Sequence, residues 1–189
     1  METPTRTVIQ NAYLVDGSGS PAMHADIAFE GEFITDVAAP QSLPTPSTTR
    51  VIDADGRLVT PGWVDIHTHY DAQATWDPWL TPSSWHGATT VVMGNCGVTF
   101  APVRPNDREY LAEMMESVED IPARSIMDGL PWSWETYGEY LDALEVMPKG
   151  INVGGMVGHC ALRYYAMGDR GLSLEPGEAP AEADLALMC

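Results

Sequence analysis

The sequence predicts an α/β protein in which a short all-β segment precedes parallel strands that alternate with helices. Two observations carry this. Up to about residue 60, short apolar and β-branched runs are bounded by Gly and Asp turns, the pattern of paired strands. From Pro61 onward, dense apolar strands alternate with segments whose apolar residues recur near every 3.6 positions, which indicates a parallel layout.

In the first zone, residues 1–60, Thr7 to Val15 reads as a strand stopped by Asp16-Gly17. Asp26 to Glu30 and Phe33 to Val37 follow on either side of Gly31-Glu32. Pro40 to Pro46 is a loop rich in Pro, Ser and Thr. Val51 to Ala54 and Arg57 to Thr60 flank Asp55-Gly56, the composition of a hairpin turn.

In the second zone, residues 61–189, Trp63 to His67, Thr89 to Met93 and Ile151 to Val157 read as strands. The β-branched middle one is expected to be buried on both faces. Asp107 to Val118, Ser133 to Val146 and Pro180 to Cys189 read as helices. The chain ends inside the last helical pattern without a capping residue, which reads as truncation. A (β/α)₈ barrel needs about 250 residues; the 129 from Pro61 to Cys189 are roughly half of that.

Composition narrows the function. With 44% apolar residues there is enough surface to form a core, which excludes a disordered chain. Twenty-seven acidic against 9 basic residues leave a formal charge of −18, which argues against nucleic acid and anionic membranes as partners. The most apolar stretch, Val153 to Gly158, is far short of the roughly 20 residues that span a bilayer. No apolar run follows Arg6, so no secretory leader is expected. Three scattered cysteines, Cys96, Cys160 and Cys189, disfavour a disulfide framework and point to a reducing cytoplasm.

The sharpest chemical feature is Pro61-Gly62-Trp63-Val64-Asp65-Ile66-His67-Thr68-His69. On a strand, Asp65, His67 and His69 face one way, and Val64, Ile66 and Thr68 face the other, toward covering helices. Cα atoms two residues apart are roughly 6.6 Å apart, so both imidazoles can converge on one metal ion beyond the strand end. Asp65, deeper on that face, is expected to support a ligand through a hydrogen bond. Cys96, in Gly94-Asn95-Cys96-Gly97 after the next strand, reaches the same end, and its glycines allow a sharp turn. His159 and Arg163 follow the third strand. His159 reads as a substrate contact or a hydrogen-bonded strand-end residue before a ligand. Arg163 reads as a carboxylate binder or a surface ion pair. Cys160, His24 and His86 read as structural. Trp76, Trp79, Trp132 and Trp134 read as core and barrel-mouth packing. No phosphate-binding glycine loop or Gly-x-Ser-x-Gly elbow occurs.

At these residues the chain resembles the amidohydrolase superfamily. Tyr70-Asp71-Ala72-Gln73, Gly87 to Val98 and Gly158 to Arg163 are similar to its N-acyl-D-amino-acid deacylase branch, the D-aminoacylases. The cysteine after the second strand is the most specific mark. The resemblance implies the N-terminal part of a (β/α)₈ barrel with a small β-sandwich, to which residues 1–60 contribute. It implies zinc as the cofactor, with His67 and His69 serving one metal position and Cys96 another. Two further histidines and a general-base aspartate are expected downstream of residue 189. The implied substrate is a small N-acyl-D-amino acid, hydrolysed to a carboxylate and a free D-amino acid.

Two other readings remain open from the residues: a different amidohydrolase chemistry (dihydropyrimidinase, dihydroorotase or deaminase), and an inactive barrel that serves in binding. Cys96 disfavours the first two of those enzymes, and the intact His67/His69 pair disfavours the inactive barrel. The 189-residue chain by itself is expected not to turn over N-acetyl-D-amino acids, because it lacks the expected proton acceptor. Chelator-sensitive turnover above background by the purified chain would refute this.

Overall fold

The computed structural model describes residues 6–172 and 178–189; Met1 to Thr5, part of the stretch read above for a leader, lie outside them. The chain divides into two compact units, Met1–Pro61 and Gly62–Cys189.

The first unit is a single sheet of β1 (Thr7–Leu14), β2 (Met23–Glu30), β3 (Phe33–Ala38), β4 (Arg50–Asp53) and β5 (Leu58–Val59). β1 pairs antiparallel with β2, and β2 antiparallel with β3. Ala12, Leu14, Ala25, Ile27 and Ala54 form its small core. Buried Asp26 is satisfied by backbone donors, accepting from Asn11 N at 3.0 Å and Gln41 N at 2.7 Å.

The hairpin expected around Asp55-Gly56 does not form. β4 and β5 both run parallel to β1, one after the other. The cause lies in β1, where a register irregularity falls between Ile9 and Ala12 and Asn11 takes a φ of 57°. Gly56 N–H donates to the Asn11 carbonyl there, so the turn steps the chain along β1 instead of folding it back.

The second unit holds three parallel strands in the order β6 (Trp63–Asp65), β7 (Ala88–Met93), β8 (Asn152–Gly155). Among the described residues its α-helices are α1 (Arg108–Glu119), α2 (Ala123–Gly129), α3 (Tyr137–Glu145), α4 (His159–Met167) and α5 (Glu182–Met188). α1 buries Leu111, Ala112 and Met115, as its period requires. α2 adds Ile126, and α3 adds Tyr140 and Leu144. These pack with Leu80, Val91, Met93, Phe100 and Trp134 in one core. Each fully buried large apolar side chain contributes on the order of 2 kcal/mol. The Tyr140 hydroxyl donates to the Asp71 carbonyl at 2.8 Å, and Trp134 Nε1–H to the Phe100 carbonyl at 2.8 Å, so neither polar group is stranded.

Several expectations are corrected. α3 starts at Tyr137, not Ser133, because Thr136 caps it: Glu139 N–H donates to Thr136 Oγ1, and the Glu139 carboxylate accepts from Thr136 N–H. α2 and α4 were not expected. β6 ends at Asp65, so His67 and His69 lie beyond it. Val64 and Ile66 are 57% and 71% exposed, so the covering expected on this face is not seen among the described residues. β7 closes one face only: Val91 and Met93 are buried, while Thr90 and Val92 are half-buried. Trp132 and Trp134 are core residues, but Trp76 and Trp79 are exposed. Among the described residues, no helix is long and apolar enough to cross a membrane.

Candidate metal centre

β6 and β7 are parallel neighbours, so the segments that follow them emerge at the same end of the sheet. After β6 the chain stays beside β7: Thr68 donates to the Val92 carbonyl through N–H at 3.0 Å and through Oγ1 at 2.8 Å. Thr68 is buried, and the histidines on either side of it project from this anchored peptide.

After β7 the chain turns sharply. Gly94 and Gly97 both have a φ of 80°, and Cys96 between them sits at φ 55°, ψ 16°. That left-handed conformation costs a non-glycine residue roughly 1–2 kcal/mol. It persists because the turn around it is over-determined.

The outcome is a three-residue cluster. His67 Nε2 lies 3.3 Å from Cys96 Sγ. The His67 and His69 rings are 5.6 Å apart, inclined at 64°. One donor atom from each of His67, His69 and Cys96 falls within 4.8 Å of the others. His67 and Cys96 are exposed, and His69 is half-buried. Nδ1 of His69 is buried without a hydrogen-bond partner. Two imidazoles, one with a nitrogen that has no other partner, and a thiol are a donor set suited to a thiophilic divalent cation such as zinc. Bonds of about 2.0–2.3 Å place two ligand atoms of one zinc roughly 3.5 Å apart, so the 3.3 Å between His67 Nε2 and Cys96 Sγ is compatible with a shared position as well as with the two adjacent ones that the resemblance implies.

Asp65 supports the cluster through the backbone. Its Oδ1 accepts from His67 N–H at 3.3 Å, and its Oδ2 from the Ser83 hydroxyl at 3.2 Å. The Tyr70 hydroxyl donates in turn to Ser83 Oγ at 2.9 Å. His159 is exposed in the first turn of α4 and is not part of the cluster. Arg163 donates from Nε to the Gly171 carbonyl at 2.7 Å and from a terminal nitrogen to the Glu178 carbonyl at 3.4 Å. Cys160 is half-buried; His24 packs on the Tyr13 ring at 5.2 Å, and His86 ends a short 3-10 turn, Ser83–His86.

Two residues of the site lie within the motifs quoted above but were given no role there. Asp71 is fully buried, and its Oδ2 accepts from Gly94 N–H at 3.0 Å. Burial pushes its carboxyl up to about 6, against the opposing hydrogen bond from Gly94 N–H. Asn95, 8% exposed, donates through Nδ2 to the carbonyls of Val92 at 2.9 Å and Thr68 at 3.2 Å. An Asp or Asn is exposed by default, and only the fold reveals these two as buried.

Parallel strands with a His, His and Cys cluster beyond their C-terminal ends define an α/β protein with a candidate metal centre. The pattern described as the amidohydrolase family matches residues 50–188, and the chain belongs to that family. It is 32% identical over 183 residues to the D-aminoacylase of Alcaligenes xylosoxydans xylosoxydans, covering 97% of this chain and 35% of that protein. It is 35% identical over 176 residues to the N-acyl-D-aspartate deacylase of the same organism, covering 92% and 32%. The fold is similar to the crystal structure of N-acyl-D-glutamate deacylase from Bordetella bronchiseptica, complexed with zinc and a phosphonate inhibitor that mimics the tetrahedral intermediate. The TM-score is 0.74 at 29% identity, over 96% of this chain and 34% of that one. The chain therefore spans about a third of the length of the relatives it matches.

Proposed function

We propose that this chain supplies metal ligands and the first strands of a zinc-dependent hydrolase that cleaves the amide bond of N-acyl-D-amino acids. The observation that carries the reading is the convergence of His67, His69 and Cys96, three soft or borderline donors within 4.8 Å. In this reading β6, β7 and β8 are the opening strands of a (β/α)₈ barrel, and the sheet of β1 to β5 belongs to the small β-sandwich. The relatives named D-aminoacylase and N-acyl-D-aspartate deacylase, and the zinc-complexed structural neighbour, support the substrate class and the metal.

Zinc bound there would supply a Lewis acid that polarises the scissile carbonyl and assists attack by water. The chain's own residues would hold it: His67 and His69 through imidazole nitrogens, and Cys96 through a thiolate whose charge favours a divalent cation. Asp65 holds the His67 backbone in place. Hydrolysis adds water across the amide, so the acyl carbon leaves as a carboxylate and the nitrogen as the free amine of the D-amino acid. An aspartate beyond residue 189 is the expected proton acceptor.

The test is a full-length enzyme containing this chain, with His67→Ala and His69→Ala made separately. Both side chains sit beyond a strand end, so removing them opens little core cavity. Zinc per protein and turnover of N-acetyl-D-amino acids are expected to fall together, with an unchanged circular dichroism spectrum. Normal zinc content in both variants would overturn the ligand assignment.

A further inference from the structure

We infer that Asn95 is a positioning residue that sets the distance between the histidine pair and Cys96, with Asp71 as its partner in a two-point brace. The inference rests on the metal-site reading above. The two halves of the candidate centre come from segments 29 residues apart, His67 to Cys96. Nothing local in either segment fixes their separation, so cross-links must do it.

The structure provides two links, and both are buried. The Asn95 amide, adjacent to Cys96, donates to the carbonyl of Thr68, the residue between the two histidines. The same amide group donates to Val92 O at the end of β7, which also accepts both Thr68 donors. One amide thereby ties the histidine peptide, the strand and the cysteine turn into a single unit. The second link runs the other way: Asp71, two residues past His69, accepts from Gly94 N–H, two residues before Cys96. Tyr140 of α3 pins the Asp71 backbone by donating to its carbonyl. Buried hydrogen bonds of this kind are short, directional and shielded from competing water.

A brace that sets ligand spacing has a signature that a general structural role lacks. It should matter to metal affinity only while both ends of the brace carry ligands. Asn95→Asp keeps the shape of the side chain and removes both donors to the carbonyls. In a full-length enzyme containing this chain, cobalt(II) serves as the probe, because its thiolate charge-transfer absorption reports the Cys96 bond directly. Asn95→Asp is expected to weaken cobalt affinity about tenfold or more, in the range seen for groups that orient metal ligands, and to diminish the thiolate band. In a Cys96→Ala background the same change is expected to alter the residual affinity less than about twofold, since the distance it sets no longer matters. Asp71→Asn, which keeps an acceptor for Gly94 N–H, is expected to retain most of the affinity.

Equal fold-losses in both backgrounds would show that Asn95 acts on stability alone and would overturn the inference. So would an undiminished thiolate band in Asn95→Asp. Should Asn95→Asp fail to fold, Asn95→Ser is put through the same comparison, with the same two outcomes deciding. Failure of the wild-type enzyme to bind cobalt or zinc would instead overturn the metal-site reading, so the two failures are distinguishable.

Discussion

Replacing Cys96 with alanine is expected to strip tightly held zinc from a full-length enzyme and to lower its deacylase rate by orders of magnitude. Stability should barely move. Cys96 is exposed, so losing its sulfur opens no core cavity, and alanine at an exposed site changes stability by about 1 kcal/mol or less. Alanine meets the same left-handed backbone that cysteine tolerates at φ 55°. The substitution therefore separates ligation from packing. A packing cysteine leaves metal and rate intact, whereas a ligand loses both with little change in the melting curve. Cys96→Asp is the informative companion. A carboxylate restores negative charge with a harder donor that reaches differently. It is expected to recover part of the metal and little of the activity. Zinc-to-protein ratios and rates for wild type, Ala and Asp decide the matter. A fully active Cys96→Ala enzyme with undiminished zinc would show that this cysteine does not ligate.

Gly94→Ala is expected to be the most destabilising single-carbon change at the site. Two costs add there. Gly94 has a φ of 80°, where an L side chain is strained by roughly 1–2 kcal/mol. A Cβ would also lie 1.9 Å from the Met156 carbonyl oxygen, a main-chain atom held in place by the Met156 N–H bond to Met93 O. Relief requires β7 and the segment after β8 to move apart, breaking the Gly94 N–H bond to Asp71 on the way. A loss of more than about 3 kcal/mol is expected, combining backbone strain with overpacking. Gly31 is the control. It has a φ of 58° and nothing within 4 Å of its Cβ position, so Gly31→Ala should show the backbone strain alone. Urea midpoints for the two variants check this, and a Gly94→Ala midpoint no lower than that of Gly31→Ala would refute it.

Much of the local structure was legible in the residues. The apolar run of β1, stopped by Asp16-Gly17, and the 3.6-residue period of α1 appear directly in the order of side chains, because each pattern is a property of one element. The His67-x-His69 pair and the glycine-flanked Cys96 were legible as chemistry for a related reason: short spacing limits where two imidazoles can point, and Gly94 and Gly97 mark a turn. Helices α2 and α4 were not. α2 has only seven residues and a single fully buried apolar side chain, too little for a period. α4 begins at His159 without a side-chain cap, so its start leaves no mark. The failed hairpin at Asp55-Gly56 has a similar cause, since its turn residues specify a bend but not which strand receives the returning chain.

What the sequence by itself determined, then, is the α/β alternation and the identity of three donor side chains, each set by local pattern and side-chain chemistry. What only the tertiary structure decided is that these three donors meet. The 3.3 Å approach of His67 to Cys96 depends on β6 and β7 lying in parallel register, and on buried Asn95 and Asp71 spanning the loops beyond them. Burial of an amide or a carboxylate is a sum over atoms that are distant in the chain. No neighbouring residue announces it, and it appears only when the strands are placed side by side.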